Sequence, residues 1–471
     1  MTLPKTTTVL LAVLVGLLAT QAIHAQTYTT LATFDGTHGG NPDLMTLVQG
    51  FDGNLYGTTL YGGADSKGVV FELGPGGLID LHDFSGMPDG EYPYAGLLVS
   101  TAGDLYGTTA QGGTGNAGTV FKIKAKGGAY GTLHSFNGTD GYIPTAPLIQ
   151  VGAKFYGTTE VGGSDAGNVF NMTGAGAVVS LYSFTGFPDG VFPLAPLLQG
   201  FDGKFYGTTE DGGTLGTSGG AVFKMTPAGK ENVLQSFPNS DEPVAGLIQG
   251  VDGSFYGTTV GGGSFGAGTL FKITPDGKTM TTLYNFGTAT SDGAFPYSGP
   301  VLASDGNLYG VTFDGGSESP NCGTIYRISP DGTGYKTLYI LDNPTDGCNP
   351  KGGLLQATDG AFYGTTDRGG VIDNSACLDG GYCGVVFRFD VGLGPFVKTL
   401  PGHGKAGASV VILGNDFSGT CSISFNGTAA ACHIVSSTEI TTKVPAGATT
   451  GYVTVTTNGG LLTSNVPFRV P

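Results

Sequence analysis

The tetrapeptide Tyr-Gly-Thr-Thr, with one variant Tyr-Gly-Val-Thr, recurs at a nearly constant spacing along most of the chain. The seven copies begin at Tyr56, Tyr106, Tyr156, Tyr206, Tyr256, Tyr309 and Tyr363. Subtracting successive positions gives 50, 50, 50, 50, 53 and 54 residues. This period fits one four-stranded propeller blade and exceeds that of a leucine-rich or ankyrin unit. Seven copies therefore predict seven blades.

Each repeat contains four short apolar runs, which we name a, b, c and d in chain order. In the fourth unit they cover 196–199, 204–209, 221–225 and 233–237. Aromatic and β-branched residues fill the runs, and Asp-Gly or Pro-x-Gly turns separate a from b and c from d. The b-to-c and d-to-a connections are longer, which is typical of loops that carry function. Antiparallel order places both long loops on one side, the long-loop face.

The N-terminal part of the repeat region supplies a run that the last unit lacks. Segment 29–34 (TTLATF) matches run d of the other units, whereas the last unit ends with run c at Phe389. We therefore expect the N-terminal strand to pair beside 385–389. Such pairing would complete the seventh blade and leave no open sheet edge.

The repeated YGTT, Gly-Gly, Val-Phe-Lys and Ser-Phe pattern resembles the GloVer-type tandem repeat of secreted bacterial proteins, over about residues 28 to 390. The resemblance implies an extracellular repeat protein. After Pro395 the repeat stops, and alternating strands with turn residues between them are typical of a small Ig-like sandwich. This part resembles an IPT/TIG domain, a module that the resemblance implies acts as a spacer or interaction domain.

The expected fold is therefore all-β. A seven-bladed β-propeller closed by an N-terminal strand is predicted over 26–392, followed by an Ig-like β-sandwich over 393–471. The 87 Gly residues recur at fixed turn positions, and hydrophobic residues make up 39% of the chain, so a disordered chain is not expected.

The first 25 residues read as a secretory signal peptide. Lys5 precedes an apolar run at 9–19, and small residues follow up to Ala25. This run of 11 residues is shorter than the roughly 20 that a membrane-spanning helix requires. The mature protein is therefore predicted to be secreted or at the cell surface, without a membrane span.

Charge restricts the partners. Twenty basic and 36 acidic residues give a net charge of −16, and no cluster of Lys or Arg occurs. Nucleic acid binding depends on such clusters to replace counterions, so we do not expect it. A glycan or an extracellular protein is the predicted partner.

The six cysteines all lie in the last third of the chain, and their even number suits an oxidising compartment. They are Cys322, Cys348, Cys377, Cys383, Cys421 and Cys432. We predict three disulfides. Cys421 and Cys432 bracket one short hairpin, and closing that loop contributes about 3 kcal/mol in the chain-entropy estimate. The paired CxxC spacing of a zinc site is absent.

The repeats differ most immediately after Thr-Thr, and five acidic residues occur there. They are Glu160, Glu210, Asp211, Asp314 and Asp367. Their carboxylates could bind calcium, whose preferred ligands are hard oxygens. A pair about 5 to 9 Å apart could instead act as acid and nucleophile in glycoside cleavage. A solvated acidic rim needs neither chemistry and is the simplest interpretation. No other cofactor is expected.

Three further patterns have structural interpretations. The repeated Tyr is expected to pack between neighbouring blades. Gln49, Gln150, Gln199, Gln249 and Gln356 recur at the end of run a, with Val99 and Ala303 as departures, and their amides are expected to bond neighbouring backbone. The Asp-Gly-x-x-Pro loops begin at Asp89, Asp140, Asp189, Asp292 and Asp346, with Asp241 in a shortened version, and their Asp side chains are expected to cap turns.

No catalytic constellation is evident. The chain has no HExxH motif and no GxSxG elbow after a strand. His38, His82 and His134 are assigned to different repeat positions, which argues against a shared metal shell.

We therefore predict a non-enzymatic binding or scaffold protein whose long-loop face recognises its ligand. The alternatives are a carbohydrate-active hydrolase or lyase that uses the five carboxylates, and a purely structural cell-surface repeat protein.

Overall fold

The computed structural model describes residues 26–471 except 126, 216–218, 239, 317–320, 343–345, 371–382 and 420. The described residues form β-strands, turns and loops, with no helix. This confirms the all-β prediction. The predicted signal peptide lies outside the described residues.

The strands of the repeat region are β1 (Thr27–Thr33), β2 (Val48–Gln49), β3 (Leu55–Thr59), β4 (Val69–Gly74), β5 (Gly77–Asp83), β6 (Gly90–Glu91), β7 (Leu98–Val99), β8 (Asp104–Thr109), β9 (Gln111–Gly112), β10 (Thr119–Lys124), β11 (Tyr130–Ser135), β12 (Ile149–Val151), β13 (Lys154–Thr159), β14 (Asn168–Thr173), β15 (Val178–Ser183), β16 (Leu198–Gln199), β17 (Phe205–Thr209), β18 (Ala221–Met225), β19 (Glu231–Ser236), β20 (Ile248–Gln249), β21 (Phe255–Thr259), β22 (Thr269–Ile273), β23 (Met280–Asn285), β24 (Gly293–Ala294), β25 (Val301–Leu302), β26 (Leu308–Thr312), β27 (Asp314–Gly315), β28 (Thr324–Ile328), β29 (Lys336–Ile340), β30 (Leu355–Gln356), β31 (Phe362–Thr366) and β32 (Val385–Asp390).

These strands build a series of four-stranded antiparallel sheets, one for each repeat, with runs a to d as neighbours in order. Sheet one is β2-β3-β4-β5, sheet two β7-β8-β10-β11, sheet three β12-β13-β14-β15, sheet four β16-β17-β18-β19, sheet five β20-β21-β22-β23, sheet six β25-β26-β28-β29 and sheet seven β30-β31-β32-β1. Strand β1 pairs with β32 from Thr27 opposite Asp390 to Thr33 opposite Val385. The N-terminal strand therefore occupies the place of run d in sheet seven.

The repeated Tyr-Gly pair packs neighbouring sheets together. The ring of Tyr106 lies 4.2 Å from that of Phe155 in the next sheet, and Tyr206 lies 4.1 Å from Phe255. The following glycine leaves room for the Phe of run c, because a Cβ on Gly207 would lie 2.6 Å from Phe223 Cζ. The prediction that the repeated Tyr serves packing is confirmed.

Four of the five recurring glutamines join one sheet to another, whereas Gln199 bonds Gly203 of its own sheet. The Oε1 atoms of these four accept hydrogen bonds from turn N–H groups of the other sheet: Gln150 from Thr101 at 2.8 Å, Gln249 from Phe201 at 2.8 Å, Gln356 from Ser304 at 2.9 Å and Gln49 from Thr358 at 3.1 Å. The structural interpretation of these amides is confirmed.

One residue of that pattern needs correction. Leu302 pairs with Leu308 as Gln249 pairs with Phe255, so Leu302, and not Ala303, stands at the glutamine position in sheet six. The glutamine position lies three residues before the Asp of the following turn. That Asp is Asp305 in sheet six, so counting back from it gives Leu302.

The C-terminal strands are β33 (Lys398–Leu400), β34 (Ser409–Leu413), β35 (Ser422–Phe425), β36 (Thr428–Ala430), β37 (His433–Ile434), β38 (Glu439–Lys443), β39 (Val453–Thr457) and β40 (Gly460–Thr463). They form two sheets, β33-β34-β38-β37 and β36-β35-β39-β40. Side chains such as Val410, Phe425, Ile440 and Val455 form the core between them. This is the Ig-like sandwich that the strand pattern predicts.

The sandwich contacts the repeat region at the a-to-b turns, which lie on the side opposite the long loops and which we call the short-turn face. Thr438 Oγ1 donates to the carbonyl of Phe51 in sheet one at 2.7 Å. Asn415 Nδ2 donates to Thr358 Oγ1 in sheet seven at 3.0 Å. The long-loop face is thus the side of the sheets away from these contacts.

Two of the expected disulfides are present in full within the described residues. Cys322 pairs with Cys348, with Cα atoms 4.4 Å apart, and Cys421 pairs with Cys432. Cys383 is also disulfide-bonded, whereas Cys377 lies outside the described residues. The first bridge ties the b-to-c loop of sheet six to the loop that leads into sheet seven.

The described residues contain no helical segment with the length and hydropathy needed to cross a membrane.

Candidate binding face

The two kinds of long loop pair with each other within every repeat. In six repeats the second residue after Thr-Thr forms a β-bridge with the d-to-a loop: Tyr61 with Gly40, Gln111 with Glu91, Val161 with Tyr142, Asp211 with Val191, Asp314 with Ala294 and Arg368 with Cys348. In sheet five, Gly261 N donates to the Asp241 carbonyl at 3.0 Å. The prediction that both long loops share one face is confirmed.

A residue with positive φ precedes the proline of each d-to-a loop. These residues are Asn41, Tyr92, Ile143, Phe192, Glu242, Phe295 and Asn349, with φ between 50° and 59°. Each carbonyl accepts from the first residue after Thr-Thr, at 2.9–3.2 Å. The N–H of Phe192, for example, donates to Ala166 of the preceding sheet at 3.0 Å. A left-handed backbone conformation is uncommon and energetically costly at non-glycine residues. Here it accompanies a backbone hydrogen bond that links one sheet to the next.

The Asp that opens these loops is a cap, as predicted. Asp189 accepts from the N–H groups of Thr185 at 3.1 Å and Gly190 at 2.8 Å, and from the Tyr182 hydroxyl at 2.7 Å. Asp and Asn side chains commonly stabilise turns by accepting hydrogen bonds from nearby backbone N–H groups. The loop therefore needs no ligand to hold its shape.

The assignment of His82 and His134 to different repeat positions was wrong. His82 lies opposite Val70, and His134 lies opposite Val120, at the same place in sheets one and two. Their Nε2 atoms lie 3.0 Å from Asp89 and 2.8 Å from Asp140. Each histidine therefore binds a loop-capping Asp in its own repeat.

Charged and aromatic side chains from several sheets interact on the long-loop face. We define the mouth cluster as the residues that follow the loop prolines, Asp43, Tyr94, Tyr297 and Lys351, with Glu242 and the first residues after Thr-Thr, Glu160, Glu210 and Asp367. The Tyr94 hydroxyl interacts electrostatically with Asp43, Glu160 and Lys351. The Tyr297 hydroxyl interacts with Lys351, Glu242 and Asp43. Direct contacts link part of the cluster, since Lys351 Nζ lies 2.8 Å from Asp43 Oδ1 and 5.7 Å from the centre of the Phe313 ring, against which Tyr297 packs.

Three glutamates form the acidic side of the mouth cluster. Burial, together with the negative charges of Asp211, Glu242 and Glu160, raises the pKa of Glu210 to about 7. Burial also raises the pKa of Glu160. Glu242 was not among the five sequence candidates. Because it precedes a proline in a loop shorter than the others, the spacing after Thr-Thr did not reveal it.

The other three candidates lie in different surroundings. Asp367 faces Lys351, and Asp314 accepts from Asn349 Nδ2 at 3.1 Å. Burial raises the pKa of both carboxyls, and neighbouring cations oppose the rise. Asp211 is held through its backbone pairing with Val191. Glu160 and Asp211 thus contribute to the raised pKa of Glu210, whereas Asp367 and Asp314 have cationic or amide partners of their own.

Lys351 is the cation of the mouth cluster. Its Nζ lies 2.8 Å from Asp43 Oδ1 and 3.7 Å from Asp367 Oδ2. Burial favours the neutral amine, but the two carboxylates outweigh it and raise the pKa of Lys351. The pair of Lys351 with Asp43 joins sheet one to sheet seven, and the three charged groups together carry a net charge of −1.

Aromatic rings border these charges. Tyr61 and Tyr92 meet edge to face with ring centroids 5.5 Å apart, and Tyr297 meets Phe313 in the same way at 5.3 Å. All four rings are half-buried. Rings beside carboxylates offer stacking surfaces and hydrogen-bond acceptors together, a combination suited to sugars. Tyr92 and Tyr297 adjoin loop prolines, so aligning the repeats on those prolines identifies these two residues.

No metal site is evident in the parts of the chain that the structure describes, since they bring together no group of three or more His, Cys, Asp or Glu side chains that could hold an ion.

Several solved structures match this one at low identity. A fungal alcohol oxidase of the AA5 family, in complex with copper, matches with a TM-score of 0.51 and 12% identity, over 95% of this chain and 99% of that one. A structural genomics protein of unknown function from Bacteroides thetaiotaomicron matches with a TM-score of 0.38 and 16% identity, over 66% and 75%. TolB from Acinetobacter baumannii matches at 0.35 and 13%, over 61% and 60%.

No curated protein sequence matches the chain. Two families do. Residues 397–470 match the IPT/TIG domain, which confirms the resemblance seen in the last strands. Residues 15–218 and 242–413 match the Gloeobacter/Verrucomicrobia repeat, which covers most of the chain. The protein therefore belongs to the Gloeobacter/Verrucomicrobia repeat family and carries a C-terminal IPT/TIG domain.

Proposed function

We propose that this protein is a secreted binding protein that holds a glycan at the mouth cluster of a closed seven-bladed propeller. The repeats and the TIG domain suggest an extracellular binding or scaffold protein, and the disulfides fit that location. The glycan, the ring and secretion from a signal peptide at 1–25 are our inferences beyond that.

Contacts between the first and last sheets support a closed ring. Gln49 bonds Thr358 as other glutamines bond the sheet before them. Asn41 N donates to the Cys383 carbonyl at 2.8 Å, as Phe192 N donates across sheets three and four. The same kinds of contact therefore recur at the junction where a ring would close.

The observation that carries the glycan proposal is a set of pairwise interactions on the long-loop face, of Tyr94 with Glu160, of Tyr297 with Glu242, and of Glu210 with both glutamates. Tyrosine rings stack on the C–H faces of sugars, and carboxylates accept hydrogen bonds from their hydroxyls. Because the chain carries a net charge of −16, neutral or amino sugars suit it better than acidic ones.

Calorimetric titration with three soluble oligosaccharides tests the proposal. Chitosan hexaose, cellohexaose and a galacturonate hexamer differ mainly in charge, being cationic, neutral and anionic. We expect saturable binding of the cationic or the neutral hexamer and no binding of the anionic one. Failure of all three at millimolar concentration, or binding of the galacturonate alone, contradicts the glycan assignment and favours a protein ligand.

A carbohydrate-active enzyme is the second candidate, favoured by one observation. Glu210 has a pKa of about 7 beside Glu160, so a carboxylic acid and a second carboxyl group lie near each other at neutral pH. Glycoside hydrolysis uses such a pair. If the protein shortens a hexamer and Glu210→Gln abolishes that activity while binding persists, this candidate replaces the first.

We do not propose that this chain binds copper, the metal named for the similar alcohol oxidase. The described residues of this chain bring together no set of three His, Cys, Asp or Glu side chains that could hold the ion. Likeness at 12% identity supports the fold alone.

A further inference from the structure

We propose that a cavity between sheet five, sheet six and the Ig-like domain binds a small, neutral, aromatic molecule that carries one carbonyl or hydroxyl oxygen. The cavity has a volume of 330 Å³, within the range of small-molecule sites. It lies on the short-turn face, away from the mouth cluster. The inference is therefore independent of the proposed glycan site.

The cavity occurs where the inter-sheet glutamine is replaced. In sheet five, Gln249 Oε1 accepts from the turn residue Phe201 of sheet four at 2.8 Å. Leu302 stands at the same position in sheet six and offers no acceptor to the equivalent turn residue, Val251. Among the described residues no group accepts from the Val251 N–H. Both Leu302 and Val251 line the cavity, so a backbone donor borders it.

The walls are mainly apolar. Val251, Leu302 and Pro330 line the side formed by the sheets, and Tyr452 lines the side formed by the Ig-like domain. Val251 is 59% exposed and Tyr452 48% exposed, so these apolar surfaces are accessible. An aromatic molecule that inserts between them would remove this apolar surface from water.

The polar groups in the lining favour a neutral ligand. Lys272 Nζ lies 2.8 Å from Asp252 Oδ2, and the Tyr256 hydroxyl donates to the same oxygen at 3.1 Å. These two charges offset each other. Asp331, the remaining charged residue of the lining, is exposed and accepts from Thr333 N at 2.9 Å and from Thr333 Oγ1 at 2.7 Å. The lining therefore disfavours an anion, and water screens the attraction of Asp331 for a cation. A carbonyl or hydroxyl oxygen on the ligand could accept from the Val251 N–H, as the glutamine oxygen does for Phe201.

The site draws on both domains, so a ligand there should hold them together. Tyr452 belongs to the stretch before β39, and Asn465 follows β40; both line the cavity with the turns of sheets five and six. A molecule that binds only the folded arrangement raises the thermal midpoint in proportion to its concentration and affinity.

Fluorescence titration of the full chain with prodan, a neutral naphthalene ketone, tests the proposal. We expect saturable binding with a blue-shifted emission. Leu302→Gln restores the residue found in neighbouring sheets, supplies Val251 with an acceptor and fills part of the cavity. It should raise the Kd of prodan at least about tenfold, or roughly 1.4 kcal/mol.

Val99→Gln is the matched control, because it makes the equivalent substitution at the other departure and Val99 does not line the cavity. Its Kd should equal that of the wild type. Tyr452→Ala alters only the wall formed by the Ig-like domain and should also raise the Kd of prodan. If Leu302→Gln fails to fold, the Kd of Tyr452→Ala tests the proposal instead. The proposal is overturned if the wild type shows no saturable binding, or if prodan binds folded Leu302→Gln and Tyr452→Ala as it binds the wild type.

Discussion

The side-chain oxygen of Gln49 accepts a hydrogen bond from the backbone N–H of Thr358 at 3.1 Å, and its amide nitrogen donates to Thr358 Oγ1 at 3.2 Å. These two residues lie 309 positions apart and belong to the first and last sheets. Gln249 of sheet five accepts in the same way from the backbone N–H of Phe201 in sheet four. The hydrogen bond between sheets one and seven is therefore of the same kind as the one between sheets five and four.

Replacing Gln49 should therefore weaken this junction. Gln49→Leu removes both bonds to Thr358 and should lower the free energy of unfolding by about 1–2 kcal/mol. Gln199→Leu is the control, because the bond made by Gln199 is to Gly203 of its own sheet. Urea denaturation followed by tyrosine fluorescence measures both. An equal effect of the two variants would contradict an inter-sheet role for Gln49.

Removal of β1 should be far more damaging. Deleting residues 28–34 uncovers the edge of β32 and removes the stacking of Tyr28 on Tyr339. We expect a large fall in the thermal midpoint or loss of soluble protein. An unchanged midpoint would show that sheet seven does not depend on its N-terminal strand.

The ion pairs of Lys351 should contribute to stability in a pH-dependent way. Lys351→Met leaves Asp43 and Asp367 without their cation and should cost about 1–3 kcal/mol near neutral pH. Burial already raises the pKa of Asp367, and losing the cation raises it further. The cost should therefore shrink as the pH falls and that carboxyl protonates.

Lys278→Met is the matched control, because Lys278 pairs with Asp276 at 3.4 Å but is 83% exposed. Its effect should stay below about 0.5 kcal/mol. Denaturation curves at several pH values compare the variants. A Lys351→Met cost that does not change with pH would contradict the electrostatic explanation.

Glu210 should destabilise the fold at alkaline pH. Its carboxyl has a pKa of about 7 in the folded protein against an ordinary 4.5, so the folded state holds the proton more tightly. The penalty is absent below the ordinary value, grows between the two values and is complete above the folded one. Glu210→Gln should accordingly match the wild type at low pH and exceed its stability by about 1 kcal/mol at about pH 8, after allowance for solvent screening.

Stability curves of Glu210→Gln and the wild type across this range give the measurement. Asp65→Asn, at an exposed loop carboxylate, serves as the control and should follow the wild type at every pH. A difference between Glu210→Gln and the wild type that is constant with pH would mean that Glu210 does not titrate in this window.

The bridge between Cys322 and Cys348 should stabilise the long-loop face. It closes a segment of 26 residues, and the double substitution to serine should cost about 3 kcal/mol in the chain-entropy estimate. Substituting Cys421 and Cys432, 11 residues apart, should cost slightly less and should leave ligand binding at the mouth cluster unchanged. A double variant at Cys322 and Cys348 that unfolds at the wild-type denaturant concentration would contradict this estimate.

The strands were predictable because their physical signals are local. Alternating apolar residues around each Tyr-Gly and the turn glycines between runs specify each sheet almost by themselves. The packing of Tyr206 on Phe255 follows from the same pattern. The sandwich was predictable for the same reason.

The mouth cluster was only partly predictable because its members come from loops and share no residue type. Glu160 and Glu210 were found because acids stand out after Thr-Thr. Tyr94, Tyr297 and Lys351 were missed because they follow a proline at a position where the seven repeats carry six different residue types. The meeting of such residues depends on how whole sheets are placed, which no single repeat encodes.

The most direct test of the glycan site is calorimetric titration of Tyr94→Ala with whichever hexamer the wild type binds. Phe187→Ala is the matched control, because Phe187 is a 56% exposed aromatic residue in a d-to-a loop but outside the mouth cluster. A mouth-cluster site predicts that Tyr94→Ala raises the Kd at least about tenfold while Phe187→Ala leaves it unchanged. Unaltered binding by a folded Tyr94→Ala variant, or equal losses in both variants, would contradict it.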